Sequence, residues 1–156
     1  MASLGDFIIK ICDIGFGTIE SARRLLVRPN VETISTDELR RLLVSVDQSV
    51  VLIDVRGQSE QAVSKIPGAI TQQEYEAGPA SFANKKLVVY CTVGGRSYLY
   101  ARKLVAAGID AKNYRDGILG WCRAVLPLET PDGRATNEVN PYWRIFRVPE
   151  QYEVKV

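Results

Sequence analysis

One stretch constrains the fold more than any other: Lys85 to Gly108, KKLVVYCTVGGRSYLYARKLVAAG. Leu87 to Tyr90 is a short apolar, β-rich run of the kind expected for a strand buried on both faces. Ser97 to Ala107 has helical spacing. Leu99, Lys103 and Ala106 lie along one side, with Tyr100, Leu104 and Ala107 beside them, and Gly108 supplies the stop. Between strand and helix stands Cys91-Thr92-Val93-Gly94-Gly95-Arg96. The pattern therefore puts a cysteine at the carboxyl end of a central strand, where a tight loop feeds a helix N-terminus.

That placement has chemical consequences. Loop N–H groups can converge on one point, and a helix start adds partial positive charge. Both favour a thiolate, so Cys91 is expected to have a lowered pKa and to be nucleophilic. Gly94 and Gly95 allow the loop to curl and an anion to approach the main chain. Arg96 adds a fixed cation, and Ser97 is expected to cap the helix. A free cysteine is most often a small buried core residue. The glycines, arginine and serine that follow Cys91 favour the nucleophile instead.

The chain contains no histidine. It therefore has no Cys–His dyad, Ser–His–Asp triad or histidine-based zinc site. Activation of Cys91 must come from loop amides, the helix start and cationic neighbours. The three cysteines, Cys12, Cys91 and Cys122, are widely spaced and odd in number, which argues against a disulfide framework and for a reducing compartment. Cys122 reads as buried packing rather than a resolving thiol. A net charge of +2 with no aromatic-interleaved basic stripe gives no nucleic-acid signal.

Ala2 to Val27 carries Leu4, Ile8, Ile11, Ile19 and Leu26 at helical spacing, with Asp6, Lys10, Glu20 and Arg24 on the other side. This helix is too charged to span a bilayer, and its acidic residues argue against a presequence or secretory signal. It either packs on its own domain or offers a homodimer or partner surface. Arg28 to Asn30 is a linker. Val31 to Ser35 reads as a strand, and Ser35 or Thr36 then caps a helix, with Glu38 near the capping-box position, that runs to about Val44. VVLIDV, ending at Val55, is the first central strand, and a parallel sheet would bring Asp54 and Arg56 to the edge that carries Cys91. A short helical turn, a strand at Ile70 and a further strand over Ala111 to Tyr114 follow, and Asp116-Gly117 then turns into a helix through Arg123, with Trp121 as a core anchor. Glu129 to Val156 is proline-punctuated, yet Tyr142-Trp143-Arg144-Ile145-Phe146 is too aromatic for a disordered tail.

Alternating strands and helices indicate α/β architecture around a parallel sheet. The loop Cys91-Thr92-Val93-Gly94-Gly95-Arg96-Ser97 resembles the active-site loop of the rhodanese family of sulfurtransferases. Asp54-Val55-Arg56 with Glu60 resembles that family's Asp-x-Arg-x-x-x-Glu segment, and Ile66-Pro67-Gly68-Ala69 its Ile-Pro-Gly-Ala turn. The sequence departs from the family at Ser64 and Lys65, where glycine and histidine are frequent, and at Asp116-Gly117 before Trp121. The resemblance implies a central sheet of about five parallel strands flanked by helices on both faces. The domain division expected is an N-terminal extension over 1–30, a rhodanese-like domain over 31–128 and a docked tail over 129–156.

The resemblance also implies sulfur transfer. Cys91 takes the outer sulfur of thiosulfate or another small anionic donor as a persulfide, and the amides of Thr92 to Ser97 cradle it. A thiol or cyanide then accepts the sulfur, without metal or organic cofactor. Asp54, Arg56 and Glu60 are supporting residues, and Arg96 holds the donor or braces the loop. Cysteine-dependent phosphatases and arsenate reductases form a weaker alternative, because their loops place one residue more between cysteine and arginine than the four found here. A binding or regulatory module acting through the terminal extensions is the alternative from another class. The cytosol is the default compartment, with organelle import left open.

Overall fold

The computed structural model describes residues 30–45 and 49–156, of which Val31–Val156 pack as one unit. The amphipathic stripe of Ala2 to Val27, with Cys12 and the Arg28-Pro29 part of the linker, lies outside the described residues.

The element order is β1 (Thr33–Ile34), α1 (Thr36–Val44), β2 (Val50–Asp54), α2 (Gln58–Gln61), β3 (Ile70–Thr71), α3 (Gln72–Ala77), a 3-10 turn (Pro79–Phe82), β4 (Lys86–Tyr90), α4 (Gly95–Ala106), β5 (Ala111–Tyr114) and α5 (Gly117–Arg123). Four short strands follow: β6 (Leu128–Glu129), β7 (Ala135–Thr136), β8 (Glu138–Val139) and β9 (Glu153–Val154). The main sheet has five parallel strands in the order β1-β5-β4-β2-β3. β4 is therefore central, and Leu87 to Tyr90 are all buried, as expected of an inner parallel strand.

Alternation along the strands sorts the core into two clusters. Leu52, Val88 and Tyr90 face α1 and α5, packing with Leu39, Ile118, Trp121 and Cys122. Ile53, Leu87 and Val89 face α3 and α4, packing with Tyr75, Ala101 and Leu104. Each such fully buried aliphatic side chain stabilises the fold by about 1.5–3 kcal/mol. The C-terminal segment contributes to the first cluster: Val139 is buried in it, with Val148 and Tyr152 packed against it. The Tyr152 hydroxyl donates to the Leu126 carbonyl, and β8 pairs with β9, so the segment is tied at both ends.

The capping box at α1 is formed, with Ser35 as N-cap and Glu38 returning to the Ser35 N–H at 2.7 Å. One expectation for α4 needs correction. Its N-cap is Gly94, with no side-chain cap; Ser97 lies within the first turn and is buried. Its buried face is Ser97, Ala101 and Leu104, whereas Leu99 is exposed. The helix starts at Gly95, and packing against β4 and β5 sets its rotation. Gly108, at φ 81°, follows the C-cap Ala107. Among the described residues no helix is long and apolar enough to cross a membrane.

Candidate active site

The register of β2 against β4 pairs Asp54 with Tyr90, and Val55 N–H donates to the Tyr90 carbonyl at 3.0 Å. Both strands thus end level, with Asp54, Arg56 and Cys91 at one sheet edge, where ligands bind in open α/β folds. Tyr90 and Cys91, being consecutive, turn to opposite faces.

On the Cys91 face the loop curls because Gly94 permits it. Gly94 has φ 83°, and a Cβ there would stand 2.1 Å from the Arg115 carbonyl oxygen, a distance no side chain could occupy. Gly95 differs: the space around its Cβ position is open and its φ is not positive, so only the first glycine is required by the backbone. The loop's early carbonyls are drawn away from the sulfur. Ile118 N–H donates to the Cys91 carbonyl at 2.9 Å and Leu119 N–H to the Thr92 carbonyl at 3.3 Å. Gly117, at φ 61°, allows that approach, because a Cβ would lie 2.3 Å from the Thr92 oxygen. With those carbonyls bound by the start of α5, the amides that follow turn inward.

Cys91 is 1% exposed and lies at the floor of this loop. Gly94 N–H donates to its Sγ at 3.2 Å, and Ser97 Oγ stands 3.5 Å away. Burial raises the thiol's pKa. The Ser97 hydroxyl and the Ser97, Val93 and Gly94 amides more than offset this, so the Cys91 pKa falls below its ordinary value. Ser97 Oγ also lies 2.7 Å from Asn113 Oδ1. Asn113 is buried in β5, on the face shared with Ala111, and pairs in register with Val89 of β4. The sequence reading did not single it out. A buried polar residue at an inward position of a strand was the available signal.

Arg96 does not reach freely into solvent. Its Nη1 and Nη2 each donate to Glu60 at 2.8 Å, and Nη2 also donates to Thr92 Oγ at 2.7 Å. The Thr92 hydroxyl donates to Glu60 Oε1 at 2.6 Å, and Gly57 N–H to Glu60 Oε2 at 2.9 Å. Burial raises the Glu60 pKa, but Arg96, Thr92 and Gly57 bring it below the ordinary carboxylate value. Glu60 thus clamps the loop from α2. Tyr142, from the C-terminal segment, covers the guanidinium face with Arg96 Cζ 4.7 Å from the ring centroid.

On the Tyr90 face lies a second cluster. Asp54 accepts from Arg56 Nε at 3.0 Å, Arg56 Nη2 at 2.7 Å and the Tyr90 hydroxyl at 2.6 Å. Arg56 Nη2 also donates to the Ser64 carbonyl, and Ile66 N–H to the Tyr90 oxygen at 3.1 Å. This joins the Asp-x-Arg segment, the Ile-Pro-Gly-Ala turn and β4 in one buried network. Desolvation works against the Arg56 charge, but Tyr90 and Asp54 hold it protonated, above the ordinary arginine value. The side-chain hydrogen bonds of Asp54 and Arg56 run to each other, to Tyr90 and to backbone groups, not to the Cys91 loop.

Cys122 is buried on α5, and burial pushes its thiol up to about 12. Trp121 donates its Nε1–H to the Pro127 carbonyl at 2.7 Å. Among the described residues no cluster of His, Cys, Asp or Glu is arranged to hold a metal. Val93 is 48% exposed and borders an open cavity of about 510 Å³ that Arg115 and Arg123 also line.

Comparison with known proteins places this architecture. A family model described as "Rhodanese-like domain" matches residues 35–124. A sulfurtransferase from Allochromatium vinosum is 32% identical over 108 residues, covering 66% of this chain and 99% of that protein. The solved structure of a rhodanese-like domain protein from Staphylococcus aureus is 31% identical with a TM-score of 0.50, covering 58% of this chain and 91% of the other. A thiosulfate sulfurtransferase from Pseudomonas aeruginosa is 26% identical with a TM-score of 0.55, over 76% of this chain but 22% of that one.

Proposed function

As the chain belongs to the rhodanese-like domain family, we propose that it moves a sulfane sulfur from thiosulfate or a related anionic donor to a nucleophilic acceptor, carried as a persulfide on Cys91. The observation that supports this most is the convergence of loop amides and the Ser97 hydroxyl on Sγ of a cysteine that no imidazole serves.

In the first half-reaction the Cys91 thiolate attacks the outer sulfur of thiosulfate. The donor's S–S bond breaks, its electron pair leaves on sulfite, and a Sγ–S bond forms. The charge moves to the terminal sulfur of the persulfide. No proton is transferred, so the absence of a general base costs nothing. The amides of Val93 to Ser97 then stabilise the displaced charge as fixed dipoles, an arrangement in which each donor contributes about 10²–10³ in rate. In the second half-reaction cyanide or a thiolate attacks the terminal sulfur, and Cys91 departs as its thiolate. A covalent intermediate between two substrates gives ping-pong kinetics.

Arg96 supports this in two ways. Bonded to Glu60 and Thr92 it braces the loop, and its charge also acts on Cys91. Ser97 has one proton to share between Asn113 Oδ1 and the thiolate. A carboxamide turned end for end would donate to Ser97 and release that proton to Sγ.

The test is an intact-mass spectrum after thiosulfate treatment. A gain of one sulfur, reversed by cyanide, mapped to Cys91 and absent in Cys91→Ala, is the expected result. Turnover of a generic aryl phosphate without sulfur loading would overturn it in favour of phosphatase chemistry.

A further inference from the structure

Tyr142 lies beyond residues 35–124, the part matched by the family, yet its ring covers the Arg96 guanidinium. Its backbone is held in an uncommon way. Tyr142 has φ 71°, the left-handed region that bulky residues avoid at a cost of about 1–3 kcal/mol. The Asn140 side chain accepts its N–H at 2.9 Å, and Val139, Asn140 and Pro141 before it are buried. Tyr142 itself is 47% exposed. Core burial therefore does not compensate for the strained backbone. What the conformation achieves is a ring laid on Arg96 and a contact with Trp143 at 5.0 Å, which in turn stacks on Phe146 at 5.8 Å.

Arg96 needs cover on that face. Glu60 and Thr92 hold its nitrogens in the guanidinium plane, and hydrogen bonds in one plane leave rotation out of it opposed only weakly. A ring on the face closes that freedom. We propose that Tyr142 is a positioning residue of the sulfur-transfer site: by covering Arg96 it keeps that cation, the Glu60 clamp and the loop amides aligned on Cys91, which makes the C-terminal segment part of the active site. This rests on Cys91 being the sulfur carrier, but its test can be read without sulfur transfer.

The experiment uses the full chain and three variants: Tyr142→Phe keeps the ring, Tyr142→Ala removes it, and Tyr142→Gly removes it while relieving the positive φ. Alkylation of Cys91 by iodoacetamide, mapped by mass and followed against pH, reports the thiolate directly. Tyr142→Gly is expected to melt no lower than the parent, yet to alkylate about two- to fivefold more slowly near neutrality, with its midpoint moved to higher pH. That range is what one exposed cation–π contact carries. Tyr142→Ala should behave likewise, and Tyr142→Phe should match the parent. Parent-like profiles in the Gly and Ala variants overturn the proposal, as does a Phe variant as slow as Ala. Ring-dependent alkylation in a protein that never loads sulfur would leave the positioning role intact and remove the sulfur-transfer reading.

Discussion

Consecutive residues at the end of β4 enter two sites built on different principles. Tyr90 turns into the Asp54–Arg56 network, where a full negative charge meets a full positive charge and the tyrosine and three backbone groups add hydrogen bonds. Cys91 turns the other way, where the Ser97 hydroxyl and the loop amides lower the pKa of the sulfur and the Arg96 charge acts on it from the same loop. The first site is closed, with one buried carboxylate set against one buried guanidinium. The second keeps its nucleophile low in pKa while leaving the amides able to follow the charge as it moves onto a bound sulfur. A closed ion pair suits structure; a ring of dipoles suits a charge that must migrate during reaction.

This contrast is broken most severely at Asp54. Asp54→Ala leaves the buried Arg56 guanidinium without its carboxylate, and removal of one partner from a buried pair costs about 3–5 kcal/mol. Urea unfolding should show a loss of that size, with sulfur loading per folded molecule retained. The glycines come next. Gly94→Ala drives a Cβ into the Arg115 carbonyl and should lower the rate of persulfide formation by about 10²-fold or more, since the Gly94 amide can no longer face Sγ. Gly95→Ala meets open space and should stay within about twofold, as unconstrained surface substitutions do. Rapid-quench measurement of sulfur loading separates the two.

Glu60 tests the bracing between the sites. Its pKa is lowered in the fold, so its contribution is complete above the ordinary carboxylate value near 4.5 and is lost as pH falls through the lower native value. Stability of the parent should therefore rise with pH through that acid window. Glu60→Gln should flatten this part of the profile and cost about 1–3 kcal/mol, the range for charge-assisted hydrogen bonds to a buried carboxylate. The smallest effect is expected at Asn113. Asn113→Ala frees the Ser97 hydroxyl but removes its anchor, and the Cys91 titration midpoint should move by no more than about one pH unit. Thiolate absorbance against pH measures it.

Much of this site is legible in sequence because it is local. Strand, cysteine, glycine and helix follow one another within Lys85 to Gly108, so one apolar run and one turn fix the position of Cys91. The capping box at Ser35 and Glu38 is equally local. What escapes is what tertiary packing decides. Ser97 looks like a cap because its identity suits one, but the turn closes earlier on Gly94, and the serine points inward to Asn113. Spacing sets Leu99, Lys103 and Ala106 along one side of α4, and only packing on the sheet selects Ser97, Ala101 and Leu104 as the buried face. Gly94 and Gly95 look equivalent, and only the Arg115 carbonyl distinguishes them. Tyr142 is separated from Arg96 by forty-six positions of chain, and no periodicity links the two.

The account rests on the Ser97 hydroxyl and the loop amides lowering the Cys91 pKa without a neighbouring base. The most direct test is the pH dependence of Cys91 alkylation in the parent protein, assigned to that residue by mass. A midpoint clearly below the ordinary thiol value of about 8.5 is expected. A midpoint at or above that value would mean that burial outweighs the amides, and would contradict the account.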